Sequence, residues 1–178
     1  MSNIIYEKNG VQVMETTRDH LSALWDLLQE HDNPGNFFAD GADIVNLADF
    51  IPWFETEAID PLTGLDNGQV VGAAWLDLLY HGHSASINIL KKRGYLKPAL
   101  VAGIMRSGLP YYFEKYDLEK INGYPRADNQ ACINMLTLIG LKIDGTLRHH
   151  RKVKGVWTDY LITSILKEEL SKCESTTA

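Results

Sequence analysis

SASINILKKRGYLKPALVAGIMRSGLPYYFEKYDLEKINGYPRADNQACINMLTLIGLKIDG, residues 84–145, sets the architecture of this chain. It reads as a strand over 84–90, a basic glycine turn (KKRGY), a long helix from Pro98 to about Tyr116, a strand from Lys120 to Arg126, a helix capped by Asp128 or Asn129, and a further strand after Gly140. In the first strand Ser84, Ser86 and Asn88 alternate with Ala85, Ile87 and Ile89. Pro98 suits a first helical turn, where its missing N–H matters least. Gly108 and Pro110 predict a kink or break between Arg106 and Leu109, because an internal proline removes a helical hydrogen bond. A strand that passes its chain to a helix through a short basic turn can form an anion site. The first helical N–H groups have no internal partners and the helix dipole favours negative charge there. The bland reading of Lys91, Lys92, Arg93 and Lys97 is a solvated turn.

Upstream, VQVMET (11–16) alternates and predicts the first strand, with Thr16 or Thr17 capping a helix that carries Leu21, Leu24, Trp25 and Leu28 on one stripe. HDNPGNFFADGAD is a loop by composition. Its Phe37 and Phe38 either line a pocket or cover a core edge. A short helix is expected from Asp43 to Phe50, ended by Pro52. Residues 56–66 are ambiguous, since Pro61 and Gly64 weaken a strand. Asp66-Asn67-Gly68 predicts a tight hairpin into the apolar strand VVGAAWLDLLY (70–80). Tyr80–His83 then turns back into 84–90, so the early strands are expected to be antiparallel and consecutive. Cys132, Met135, Leu136 and Ile139 are the expected buried stripe of the second helix. After Gly145, LRHH leads into a basic turn (HHRKVKG) and a last strand, WTDYLITSIL.

Composition narrows the class. A length of 178 residues suits one domain over 1–178, with about ten N-terminal and eight C-terminal residues peripheral. The net charge of −6 argues against a general nucleic-acid binder. No apolar run approaches the ~20 residues of a membrane span, and MSNIIYEKNG has no secretory pattern. Cys132 and Cys173 give no disulfide framework, which fits reduced thiols in a cytoplasm. His81 with His83, and His149 with His150, have no third ligand at metal spacing, so no metal is expected.

From Asn129 onward, Asn129, Ala131, Cys132, Met135, Leu136, Gly140, Leu141, Asp144, Gly145 and Leu147-Arg148 follow a known pattern: Asn, two residues, a small residue, an apolar helix ending in Gly-Phe, then Glu-Gly. In this the chain resembles the GNAT family of acyl-CoA-dependent N-acyltransferases, and its last third is similar to the ribosomal-protein acetyltransferase branch. As an order of elements the likeness runs from about Val11 to Leu166. It implies an α/β fold: a mixed, mostly antiparallel sheet of about seven strands with helices on both faces. It implies acetyl-CoA as co-substrate and a small-molecule or protein amine as acceptor. Nucleic acid and membrane are not expected as partners, and a homodimer is left open. Leu90, Arg93, Gly94, Tyr95, Leu96, Lys97, Asn129 and Cys132 would bind the cofactor. Asn88 and Asn129 would serve at the reacting centre, in the splay between strands 84–90 and 120–126, with an N–H near Ile89 or Leu90 polarising the thioester carbonyl. Phe37, Phe38, Trp53 and Phe54 would form the acceptor wall. Asn129 is also, more simply, a helix cap.

The family's diphosphate loop has Arg or Gln, two residues, Gly, one residue, then Gly or Ala. With Arg93 first, Leu96 stands at the central Gly and Pro98 at the last small residue. The helix from Asn129 offers only Thr137 where many members have a Tyr or Ser acid. Asp77 and Tyr80 are acid–base types at a strand end, where an edge or turn role is the simpler one. These departures point to an alternative: a GNAT-fold binding or assembly protein without catalysis, similar to small proteins encoded by tailed phages.

Overall fold

The structure, a computed structural model, describes residues 3–30, 44–95 and 97–170, without the side chains at 98, 99, 102, 105 and 106. The strands are β1 (Ile4–Lys8), β2 (Val11–Glu15), β3 (Ile59–Asp66), β4 (Gln69–Tyr80), β5 (Ser84–Lys91), β6 (Lys120–Gly123), β7 (Lys142–Val153) and β8 (Val156–Leu166). They form one sheet in the order β1-β2-β3-β4-β5-β6-β8-β7. This is the expected α/β class with a mostly antiparallel sheet. It has eight strands rather than seven, because residues expected to be peripheral form β1, paired antiparallel to β2. The chain divides into two compact units, Met1–Asp77 with Asn88–Gly103, and Leu78–Ile87 with Ile104–Ala178.

In the first unit β1 to β4 run antiparallel in consecutive order. The Asn67-Gly68 turn forms as expected, with φ of 47° and 80°. The ambiguous stretch is the strand β3. Its bulge at Asp60 and Pro61 shifts the register, so the proline costs no ladder bond. Its glycine leaves room for a helix: a Cβ on Gly64 would lie 2.5 Å from Leu100 Cδ1.

Helix α1 (Leu21–Gln29) follows a single 3-10 turn over Arg18–His20. Helix α2 (Leu47–Glu57) continues through Pro52 instead of ending there. Two things sustain it. Asn46 caps it, Oδ1 accepting from Ala48 N at 2.8 Å and Asp49 N at 3.1 Å. Beyond the proline, Phe54 is buried and Trp53 half-buried, so packing offsets the one missing bond. Leu24, Leu28, Phe50 and Phe54 of these helices pack on Ala73 and Trp75 of β4. Helix α3 (Pro98–Gly103) touches the other face of β3, through Leu100.

In the second unit β5 runs parallel to β6, with pairs from Ser84↔Lys120 to Ser86↔Asn122. Strand β6 is antiparallel to β8, and β8 to β7. The expected break in the long helix is a π-helical turn over Ile104–Gly108, followed by α4 (Leu109–Lys115). The next strand is shorter than expected. It stops at Gly123, leaving only the bridge Arg126↔Tyr160. Helix α5 (Gln130–Leu138) buries Ile133 and Leu136, followed by Ile139, while Cys132 and Met135 are only half-buried. Leu136 and Ile139 are buried as expected, while Ile133 takes the buried place expected of Cys132. The basic run 149–153 is strand, not turn. The reversal takes only Lys154 and Gly155, both at positive φ.

Candidate functional site

The residues expected at the site fall into two groups, one in each unit. The first is the segment after β5, residues 92–97. It is held to its surroundings at each end. Lys92 N donates to Val71 O of β4 at 2.8 Å, and Tyr95 N to Lys92 O at 3.2 Å. Lys91 Nζ donates to Lys92 O at 3.1 Å and Tyr95 O at 2.6 Å, so its charge lies under the loop's own carbonyls. Burial holds the Lys91 ammonium below its ordinary pKa. Gly94 has φ of +72°, a conformation that favours glycine.

The far end of the loop is tied to the β3–β4 hairpin. Lys97 Nζ lies 2.6 Å from Asp66 Oδ2 and 2.7 Å from Oδ1. Tyr95 donates its hydroxyl to Asp66 Oδ2 at 3.3 Å. Burial, then the charge and hydrogen bond of Asp66, push that phenol up to about 12. The phenol therefore stays protonated and remains a donor at any ordinary pH. Asp66 is a member of this site that the sequence reading placed only in a turn.

Glu30, just past α1, is another. Its Oε2 accepts from Arg93 N at 3.2 Å. An anionic oxygen already sits on the amide assigned to the diphosphate. Of the other residues expected at the site in this unit, Leu90 is buried, Asn88 is half-buried on β5, and Leu96 lies outside the described residues, as do Phe37 and Phe38. Phe54 is core and Trp53 half-buried beside it.

In the second unit Asn129 caps α5. Its Oδ1 accepts from Cys132 N at 3.1 Å. The simpler of its two roles is thus present in the structure. Asn122, buried on β6, donates Nδ2 to Ala85 O at 3.4 Å at the last parallel pair of β5 and β6. Arg126 and Asp128 form a two-bonded pair, Nε–Oδ1 2.7 Å and Nη2–Oδ2 2.8 Å. That pair holds the Asp128 carboxyl below the usual carboxylate range. Burial pushes the Cys132 thiol up to about 11. Cys132 should therefore resist iodoacetamide at pH 8 in the folded chain and react only after denaturation. Peptide mass mapping would show this, and rapid labelling of native Cys132 would contradict it. Cys173 lies outside the described residues.

The histidines take other partners. His81 packs edge-on to Tyr116 at 5.3 Å, and His149 stacks on Trp157 at 6.3 Å. A cleft of about 660 Å³ on β7 and β8 is lined by Thr146, Leu147, Arg148, His149, His150 and Asp159. Among the described residues no three His, Cys, Asp or Glu side chains gather as metal ligands, and no helix is long and apolar enough to cross a membrane.

No family model matches the sequence, and no curated protein matches it. Solved structures do match. A GNAT-family acetyltransferase from Bacillus anthracis superposes with a TM-score of 0.75 at 15% identity, over 94% of this chain and 100% of that one. Mycobacterium smegmatis RimJ, solved with CoA-disulfide, gives 0.74 at 18% identity, over 95% and 88%. The Salmonella typhimurium acetyl transferase that modifies the N-terminal serine of ribosomal protein L7/L12 gives 0.73 at 11%, over 92% and 99%. Identities this low establish architecture and no more. That architecture, shared over nearly the whole of each chain, is the GNAT acetyltransferase fold.

Proposed function

We propose that this chain is an acyl-CoA-dependent N-acetyltransferase, with acetyl-CoA as co-substrate and a primary amine as acceptor. The observation that carries the reading is the contact of Arg93 N with a carboxylate oxygen, on the loop after β5, in a chain with this fold. A carboxylate oxygen stands there for a diphosphate oxygen: both are anionic acceptors for the same amide. RimJ, solved with CoA-disulfide, supports the co-substrate. Arg93, Gly94, Tyr95, Leu96 and Lys97 would hold the diphosphate, and Leu90, Asn129 and Cys132 would flank the thioester arm. Asn88 would orient the acceptor or a water. The amine nitrogen would attack the thioester carbonyl, forming C–N as C–S breaks. Counted from the acceptor's ammonium, one proton would pass to solvent before attack and one to the departing thiolate, leaving one on the amide nitrogen.

Thermal melting with acetyl-CoA tests this. At ~100 times its dissociation constant the ligand should add about 2.7 kcal/mol to stability. Lys97→Ala should weaken binding roughly tenfold or more, the loss of one charge-assisted contact. Glu30→Gln should tighten binding, because the competing carboxylate is gone. No shift with acetyl-CoA, in wild type or Glu30→Gln, would leave only a fold shared with enzymes.

A further inference from the structure

We infer that the β7–β8 hairpin is a docking strip for single-stranded nucleic acid, its cations taking phosphates and Trp157 stacking on a base. The inference goes beyond the transferase reading and does not rest on it. The chain has a net charge of −6, yet residues 145–158 hold four Arg or Lys and no Asp or Glu. These cations, Arg148, Arg151, Lys152 and Lys154, are all exposed. Cations elsewhere have carboxylate partners: Lys97 has Asp66, Arg126 has Asp128 and Lys167 has Asp117. Among the described residues, the four in the hairpin have no ion-pair partner. Like charges gathered in one hairpin of an acidic chain repel each other, and an anionic partner relieves that repulsion.

Strand β7 lies at one edge of the sheet. Its pairing with β8 passes from Leu147↔Tyr160 to Arg151↔Thr158, so Arg148, His149 and His150 face Asp159 alone. His149 takes φ of +51°, and its N–H donates to Asp159 Oδ1 at 2.8 Å. A bulge of this kind re-aims side chains. Here it opens the cleft of about 660 Å³, lined in part by Thr146, Arg148, His149 and His150. Cations and rings interleave beside it. His149 stacks on Trp157 at 6.3 Å with 19° between the rings, and Lys152 Nζ lies 5.2 Å from the centre of the Trp157 ring. The Arg151 guanidinium lies 5.9 Å from the ring of Tyr160. Tyr160 is buried, but Trp157 is 53% exposed. Every base has a π-face and every link between bases carries a phosphate, so a single strand uses both kinds of group. A duplex keeps its base faces stacked, and an acidic peptide would use the cations alone. Charges on an edge strand also deter pairing with another chain. That role needs charge only, and an exposed tryptophan beside the charges works against it.

The test is fluorescence anisotropy of the full chain with labelled oligouridine and oligothymidine of about 12 nucleotides, a length within the range such surfaces occupy. A duplex of equal length, poly-glutamate and vesicles of phosphatidylserine with phosphatidylcholine are the competing ligands. The variants are Arg151→Gln with Lys152→Gln, Trp157→Leu, and Lys167→Gln as a cation outside the hairpin, each with a melting curve. A single strand should bind wild type ahead of every competitor, and the tighter of the two identifies RNA or DNA as its source. Between about 50 and 200 mM salt the affinity should fall roughly twenty- to fiftyfold, as three or four phosphate contacts predict. The double substitution should weaken binding and roughly halve the slope of log affinity against log salt. Trp157→Leu should lose about tenfold and keep the slope, because stacking releases no counterions. Lys167→Gln should change neither, and all variants should melt near wild type, since these side chains lie at the surface. No single-strand binding at the lower salt would overturn the inference. So would tighter binding of the duplex, poly-glutamate or the vesicles, a folded Trp157→Leu chain that binds like wild type, or a loss in Lys167→Gln equal to that of the double substitution.

Discussion

Phe50→Ala should cost about 3–5 kcal/mol, the range for emptying a large aromatic site in a core. Phe50 is 2% exposed. Its ring lies 5.5 Å from Trp25, 6.1 Å from Trp53 and 5.3 Å from Phe54. The three neighbours come from α1 and α2 themselves, so the cavity would open where the two helices meet. Neither helix can close it without uncovering Ala73 and Trp75 of β4. The helices are nine and eleven residues long, too short to persist in water without tertiary packing. Urea denaturation followed by tryptophan fluorescence would measure the loss. A change below ~1 kcal/mol would mean that the cluster is not the core of the first unit.

Gly72→Val should be nearly as damaging, and for the opposite reason. A Cβ at position 72 would lie 2.6 Å from Leu90 O, 3.4 Å from Lys91 Cα and 3.6 Å from Leu90 C. All three atoms are backbone, so no side-chain rotation relieves the overlap. Strand β5 must move, and overpacking of this kind costs roughly 1–3 kcal/mol or more. The functional loss should exceed the structural one. Lys91 carries the two hydrogen bonds that shape the loop, and Lys92 N is bonded to Val71 beside the substitution. Acetyl-CoA should then no longer raise the Tm of a chain that still folds. Gly72→Ala should show the same effect in weaker form. A Gly72→Val chain that melts like wild type and still responds to acetyl-CoA would contradict the close approach of β4 and β5 at this point.

Local signals in the sequence carried much of the architecture. The Asn67-Gly68 reversal, the Asn129 cap and the weak point before Pro110 all depend on a few adjacent residues, and all three are present. The misreadings have tertiary causes. Pro52 does not end α2, because the buried Phe54 lies beyond it. Strand β3 forms despite Pro61 and Gly64, because a bulge absorbs one and the other is where Leu100 approaches. Residues 4–8 lack clean alternation and become a strand by pairing with β2. At the candidate site, the basic loop and its glycine were visible as residue types. Its partners were not: Glu30 is 63 positions from Arg93, and Asp66 is 31 from Lys97. No periodicity or motif reports a contact across such a distance.

Asp66 has a consequence for anyone altering this chain. One carboxylate receives both the ammonium of Lys97 and the hydroxyl of Tyr95. A tight reversal is the usual place for grafts, tags and library diversity, since exposed tips tolerate them. Here the first position of that reversal is an anchor for a segment thirty residues downstream. Replacing the tip, aspartate included, would leave the fold intact and still release Lys97 and Tyr95 from their shared partner. Libraries built there should therefore keep the aspartate and vary only Asn67 and Gly68.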